Sequence, residues 1–435
     1  MFRRTYFYRS IILITLMSGS VWAAETLSLP ALLLRARDSN PDILAARHGW
    51  KVMLDEVAPT RAWPDPTFTY IDEKFPSGVE GVDPMHMKHY RIEQTIPFPG
   101  KLTNDARMKY HEALIAEAKY RATTLDVFRD VRSRYYQLYL TDQLIALAQE
   151  SVNVLKQTLS SAQARLAGGQ SSTADVFMVQ TELRRMENML FEQKQQRTLI
   201  TIELNTLLDQ PVETLLGSAL PPDLKEIQTS LPDLEKLASM NNPLYQSAMH
   251  EVNHSRAMKI HHGLQFLPDF GVMYEKETAD AGPDGHQIGV SVTFPLWLSR
   301  PWGLTKSADE HTAEAVATSQ AMRNEVQKMV HQEYTETNTY LAQAKNYQAG
   351  ILPEAQSALK ITRQQYASGQ LDFLRFLEAF RTWIQTNNEY QEKLYRYGDH
   401  WSELERWVGV PIDKAKEALE QEKVMPMKME NDHGK

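Results

Sequence analysis

Met85, His86, Met87 and His89 form the densest group of metal-binding side chains in the sequence. Thioether and imidazole donors suit soft ions such as Cu(I) or Ag(I). On an extended strand successive side chains alternate, so Met85, Met87 and His89 can converge on one face while His86 points away. The plainer reading of the same residues is the end of a strand beside a loop. A second group, Met425, Met427, Met429 and His433, stands in the C-terminal tail, and His261 and His262 are adjacent and ill placed to share one ion. The chain has no cysteine, which removes disulfides, thiolate metal sites, thiol nucleophiles and a lipid-bearing N-terminal cysteine together. Nor does it contain a phosphate-binding glycine loop, His-Glu-x-x-His or Gly-x-Ser-x-Gly. No catalytic residue and no cofactor is expected, and the chain does not read as an enzyme.

The elements that carry these residues are unusually long. From Lys101 to Ala167 there is neither glycine nor proline, and good helix formers dominate. A single helix over that span would be roughly 100 Å long and must lie along other helices in a coiled coil or tube-like wall. Leu125, Phe128, Val131, Tyr135 and Leu138, then Ile145, Ala148, Val152, Leu155 and Leu159, recur at threes and fours. A generic coiled coil would give the same pattern. The chain, however, repeats itself. Asn40-Pro41 returns as Asn242-Pro243, Thr95-Ile96-Pro97 as Thr293-Phe294-Pro295, and Arg165 to Gln170 as Gln365 to Gln370. Gln210-Pro211-Val212 is echoed by Val410-Pro411-Ile412. The offsets are all about 200 residues, a duplication of a whole unit rather than a solenoid period.

Arg3, Arg4 and Arg9 precede the apolar run from Ile11 to Met17, and Val21-Trp22-Ala23 offers small residues at a signal-peptidase site. Residues 1–23 are therefore read as a signal peptide cleaved near Ala23, the apolar run being too short for a membrane anchor. Its removal takes away three arginines and no acid, so the formal charge of −8 becomes −11. An acidic chain without a basic block is not a nucleic-acid binder.

Two stretches change period. About residues 66–96, and again about 268–294, apolar and polar residues alternate on either side of a loop rich in Gly, Pro and Asp. Tyr90, Ile92 and Ile96 share one face, with His89, Arg91, Glu93 and Thr95 on the other. Strands of about ten residues with one apolar face suit a half-buried hairpin or a transmembrane β-strand. Their equivalent placement in both repeats favours the second. Four strands leave two edges that lipid cannot satisfy, so several chains must close such a barrel together.

The expected organisation is a first repeat over 24–210, with a helical hairpin over 101–208, and a linker over 211–230. A second repeat follows over 231–412, its helical hairpin spanning 302–408. The long helix of that hairpin is expected from about Thr305 to Ser368, with a kink at Gly350 and Pro353. A charged, Met-rich tail over 413–435 is expected to be disordered.

This architecture resembles the trimeric outer-membrane channels of Gram-negative tripartite efflux and type I secretion systems. The resemblance rests on the duplicated order of helix, β-hairpin and helical hairpin, and on the Asn-Pro near the start of each repeat. It rests also on Thr95-Ile96-Pro97-Phe98-Pro99-Gly100-Lys101 at the strand-to-helix passage, and on Arg165-Leu166-Ala167-Gly168-Gly169 followed by Asp175-Val176. The Ile-Pro-Phe-Pro-Gly-Lys form is most similar to the heavy-metal efflux branch. The fold class implied is mainly α with a small β part. Helical hairpins build a periplasmic tunnel, and two β-hairpins from each of three chains make one twelve-stranded transmembrane barrel. The resemblance also implies a homotrimer in the outer-membrane lipid, a periplasmic adaptor meeting the helical turns at Gly168, Gly169 and Gly369, and a proton-driven inner-membrane pump. By position Asp175 matches the aspartate that relatives carry after the first turn. Arg375 stands where relatives show Asp in the second, near Asp372 and Glu378. These four residues are the expected periplasmic gate, with Arg375 bridging to Asp175 or Glu378 of a neighbouring helix.

The function so implied is passive conduction of substrate, heavy-metal cations first, across the outer membrane. Drug efflux or type I secretion through the same fold is the alternative, and a soluble periplasmic coiled-coil scaffold is the rival of another class.

Overall fold

In a computed structural model the described residues are 26–75, 85–279 and 283–424. The signal peptide, the first hairpin loop and the Met-rich segment from Met425 lie outside them. Each half opens with a pair of helices joined at an Asn-Pro step: α1 (Leu29–Ser39) and α2 (Pro41–Asp55), then α5 (Leu231–Asn241) and α6 (Pro243–Leu264). The duplicated asparagines act alike. Asn40 accepts from the backbone of Asp42 and Ile43 and caps α2, and Asn242 accepts from Tyr245 and caps α6. Each amide also reaches a distant helix end: Asn40 Nδ2 donates to the Leu207 carbonyl at 3.0 Å, and Asn242 Nδ2 to that of Trp407 at 2.9 Å. One buried side chain therefore starts a helix and ties it to the return of the long hairpin.

The strands are β1 (Thr67–Phe75), β2 (Met85–Ile96), β3 (Asp269–Ala279) and β4 (Gly285–Thr293). They make one antiparallel sheet in the order β1-β2-β3-β4, so the two hairpins join through β2 and β3. Register is continuous across it: Phe68 pairs with Ile92, Ile92 with Tyr274, and Tyr274 with Ile288. Within the described residues β1 and β4 are each paired on one side only.

The helical hairpins are α3 (Lys101–Ala167) with α4 (Thr173–Leu207), and α7 (Ser299–Asn346) continued by α8 (Leu352–Ala367) with α9 (Phe373–Val408). At 67 residues α3 runs for roughly 100 Å. Gly169 and Gly369, both at positive φ, make the turns. The expected kink at Gly350 and Pro353 is a π-helical turn, Tyr347–Ile351, between α7 and α8. Proline has no N–H for the ladder, and one wider turn absorbs the missing bond. The helix before it starts at Ser299, earlier than the sequence suggests, because Pro301 falls in its first turn, where no N–H partner is required.

Three buried clusters run along the bundle. One joins Val131, Leu138 and Leu204 with Leu32 and Ile43 of the opening helices. A second, toward the turns, packs Leu155 and Val179 against Phe376 and Phe380. The third sets Leu234 and Leu237 against Val330, Leu404 and Val408. Ile412 and Ala415 belong to this last cluster, which corrects the expectation of disorder for residues 413–424; the rest of the tail lies outside the described residues. The chain makes a short 3-10 turn at Ile412–Lys414 and then α10 (Ala415–Val424), because Ile412, Ala415, Ala418 and Leu419 form an apolar face amid the charges. The linker is extended and held by two tyrosines: Leu220 N–H donates to the Tyr135 hydroxyl at 2.8 Å and Lys225 N–H to that of Tyr397 at 3.1 Å. Among the described residues no helix is long and apolar enough to cross a membrane.

Candidate functional site

Two regions hold the residues singled out in the sequence: the tip where the helical hairpins turn, and the sheet with its passage into helix. At the tip, Ser172 and Asp175 form a reciprocal capping box at the start of α4. Asp175 accepts from the Ser171 hydroxyl at 2.9 Å and from the Ser172 N–H at 3.1 Å. Partial burial pushes this carboxyl upward. The hydrogen bonds from Ser172 and Ser171, with the nearby Arg165 charge, outweigh burial and hold it below the usual carboxylate range. Asp372 does the same task in the second repeat, accepting from Arg375 N–H at 2.9 Å as the N-cap of α9. The Arg375 and Glu378 side chains lie on the exposed side of α9. Among the described residues the expected bridge from Arg375 to Asp175 or Glu378 is not made, and Asp175 is instead committed to the start of its own helix.

What joins the two turns instead is Arg165. It donates to the Tyr366 carbonyl at 2.8 Å and lies 4.9 Å from the centre of that ring. Deeper in the hairpins, Glu182 of α4 is only 5% exposed and receives Arg381 of α9 at 2.8 Å and Arg185 at 3.4 Å. The sequence reading missed this cluster. Its signal was there: Glu182 continues the apolar series Val176 and Val179 where an apolar residue belongs.

At the strand-to-helix passage, the turn through Pro97, Phe98, Pro99 and Gly100 is fastened to the start of β3. Asp269 accepts from Phe98 N–H at 2.8 Å and from Lys101 Nζ at 2.8 Å, and Lys101 also donates to the Leu267 carbonyl at 3.1 Å. The motif thus locks the end of the first hairpin to the beginning of the second.

Strand alternation divides the sheet into two unlike faces. One carries Phe68, Ile92, Val272, Tyr274, Ile288 and Val290, with Ile288 82% and Val290 75% exposed. From Ile96 to Tyr90 this apolar band rises about 20 Å, near the height of an outer-membrane barrel's lipid band. The other face is polar and acidic. Of the six strand carboxylates, Glu73, Glu93, Asp269, Glu275 and Glu277 lie on it and only Asp72 on the apolar side. His89 Nδ1 meets Glu275 at 2.8 Å, and Arg91 meets the other oxygen of that carboxylate at 2.8 Å. Met87 and His89 share this face, as their spacing requires, whereas the Met85 side chain lies outside the described residues. Among the described residues no three His, Asp or Glu side chains are arranged to hold a metal ion.

Paired helical hairpins of this length, joined to a four-stranded sheet that is apolar on one side and polar on the other, define the protomer fold of an outer-membrane channel. The profile of the outer membrane efflux protein family matches residues 32–210 and 234–410, one segment in each repeat, and the chain belongs to that family. Among curated proteins it is similar to the cobalt-zinc-cadmium resistance protein CzcC of Cupriavidus metallidurans, 22% identical over 378 residues that cover 85% of this chain and 86% of that one. Among solved structures it is similar to the CmeC outer membrane channel of Campylobacter jejuni, with TM-score 0.76, 16% identity and 98% and 99% of the two chains covered. VceC, an outer membrane protein of Vibrio cholerae, gives TM-score 0.74 at 16% identity, covering 88% and 96%. Family membership sets aside the soluble scaffold.

Proposed function

We propose that this chain is the outer-membrane conduit of a tripartite efflux system and that its cargo is heavy-metal cations. Three copies, each giving four strands, would close the barrel, and the helical hairpins would continue it as a tunnel into the periplasm. The turns at Gly168, Gly169 and Gly369 meet a periplasmic adaptor, which connects to a proton-driven inner-membrane pump. With no cysteine to acylate, a chain cleaved near Ala23 is held in the membrane by its strands alone.

The observation that carries the cation reading is the sorting of strand carboxylates onto the polar face, opposite the apolar one. A wall of one sign raises the local concentration of the opposite ion along a pore. The likeness to CzcC points to the same class of cargo. The gate belongs to Arg375 and Glu378, which remain free to meet a neighbouring chain, with Asp175 and Asp372 fixing the helix starts beside them. An exposed pair of that kind is worth about 0 to 1 kcal/mol, weak enough for an adaptor to release. Met87 and His89, with Met85, would then be a transient contact for a soft ion on the pore wall.

The test is growth and metal accumulation in a host lacking this protein, with copper, silver, zinc, cobalt and cadmium supplied in turn, with and without the gene restored. A defect confined to one or two metals and reversed by restoration supports metal efflux. Unchanged metal sensitivity with raised sensitivity to dyes or detergents moves the cargo to drugs.

A further inference from the structure

The strand lysines are sorted as strictly as the carboxylates, but onto the opposite side. The four strands contain three lysines, Lys74, Lys88 and Lys276, and all three share the apolar face. They also gather at one height. Tyr70 and Tyr90 pair across β1 and β2, and Lys276 is the next residue in that row. Lys88 is one row farther toward the hairpin loops, opposite Asp72 and Thr278, and Lys74 one row beyond, opposite His86. Lys88 is thus the diagonal neighbour of both other lysines, at about 7 to 8 Å, across three adjacent strands.

The local acids are few. Asp72 is engaged by His86 and by the Tyr70 hydroxyl at 3.4 Å, and Asp284 lies 3.4 Å from Lys276. Among the described residues neither Lys74 nor Lys88 has a carboxylate partner. A lysine facing lipid is strongly disfavoured at the bilayer midplane and nearly neutral at its border, so lysines just past a tyrosine row belong at headgroup level. Three ammonium groups there, beside phenol hydroxyls and with one side open to lipid, match a phosphate carried on a lipid.

We propose that Lys74, Lys88 and Lys276 form a binding site for the phosphate of a phosphorylated glycolipid in the leaflet at the loop end of the sheet. This rests on the reading that the apolar face meets lipid. The site lies on the outside of the barrel wall, so it fixes the depth and surroundings of the channel without touching the cargo path.

The experiment uses the full-length protein in non-ionic detergent, titrated with diphosphorylated lipid A, with dephosphorylated lipid A and with inorganic phosphate, bound lipid being counted by native mass spectrometry. The expected result is saturable binding of the phosphorylated lipid that weakens about fivefold for each lysine changed to glutamine, about a hundredfold for all three. The Lys→Arg triple variant retains binding, as does an inner-face control, Glu73→Gln with Glu277→Gln. Equal binding of the dephosphorylated lipid, or unchanged binding by the glutamine variant, overturns the site. Complete competition by inorganic phosphate at equal concentration assigns it to a free anion and overturns the lipid assignment. Reconstitution into neutral phosphatidylcholine vesicles separates the two layers: failure to insert sinks the lipid-facing reading itself, whereas insertion without phosphate discrimination sinks only the lysine site.

Discussion

Glu182 and Arg381 join the returning helices of the two repeats, with a guanidinium nitrogen 2.8 Å from a carboxylate whose side chain is almost fully covered. Arg381 itself is half exposed, so its removal strands a buried charge that Arg185 meets only at 3.4 Å. Arg381→Ala should cost about 1 to 2 kcal/mol, less than a fully buried pair because water screens the arginine. Glu182→Met with Arg381→Met should restore most of that loss, since an apolar pair suits the site. Thermal unfolding followed by far-ultraviolet circular dichroism in detergent measures both, and an Arg381→Ala variant as stable as the parent would show the pair to be idle.

Arg375 has a different task if it helps to close the tip. Arg375→Glu should raise single-channel conductance in a planar bilayer without altering thermal stability, because the side chain is exposed within the chain. Asp372 provides the control. Asp372→Ala removes the cap on α9 and should cost about 1 kcal/mol, whereas Asp372→Asn keeps the cap and removes the charge. Unchanged conductance in Arg375→Glu would dismiss its part in closure.

Two glycines with similar backbone angles should respond unequally to alanine. Gly369 has φ +81 and open space around a built Cβ, so Gly369→Ala should cost about 1 kcal/mol of left-handed strain. Gly409 has φ +83, and its added Cβ would stand 2.5 Å from the Asn241 carbonyl oxygen. Gly409→Ala should therefore cost about 3 kcal/mol or more, since backbone must move as well. Comparable melting temperatures for the two variants would contradict this packing of α9 against the α5–α6 joint.

His111 of α3 and His250 of α6 stack with ring centres 6.3 Å apart. Burial first, then the neighbouring charges of His250, Arg107 and His254, push His111 down from 6.5 to about 4. Above pH 6.5 the ring is neutral in both folded and unfolded chains and adds no pH dependence. As pH falls from 6.5 toward about 4 the unfolded chain takes up a proton that the folded chain refuses, so stability drops across that window and levels below it. His250 shifts in the same direction, again chiefly through burial. Melting temperatures recorded across this range should fall less steeply in His111→Gln; an identical slope would place the acid sensitivity elsewhere.

Much of this architecture is written in short-range chemistry. The long helix is legible because nothing between Lys101 and Ala167 can break it, and the hairpins because their residues alternate. The duplicated Asn-Pro announces a cap, though its second hydrogen bond to the far helix end depends on a partner some 165 residues away. The π turn is half legible: Pro353 marks the break, but a proline alone does not say whether the helix bends or widens there. The helix over 415–424 is hard to read because its charges hide the spacing of Ile412, Ala415, Ala418 and Leu419. At the tip, Ser172 three residues before Asp175 spells a capping box, a local meaning that a role assigned by position alone does not contain. Among the described residues the Arg375 side chain has no such local partner, and the role proposed for it needs a surface outside one chain.

The single-sided pairing of β1 and β4 has a consequence for how the molecule reaches its membrane. A lone sheet pushed into hydrocarbon would carry two rows of bare amides and carbonyls, each costing several kcal/mol, so insertion cannot precede association. The helices face no such barrier, since their backbone bonds are internal and can form in water. If several chains close the barrel as proposed, biogenesis would be ordered: the helical shafts would mature first, and membrane entry would be a collective step whose rate climbs with the local number of chains. Dilution, rather than any defect in the fold, would be the simplest way to stall it.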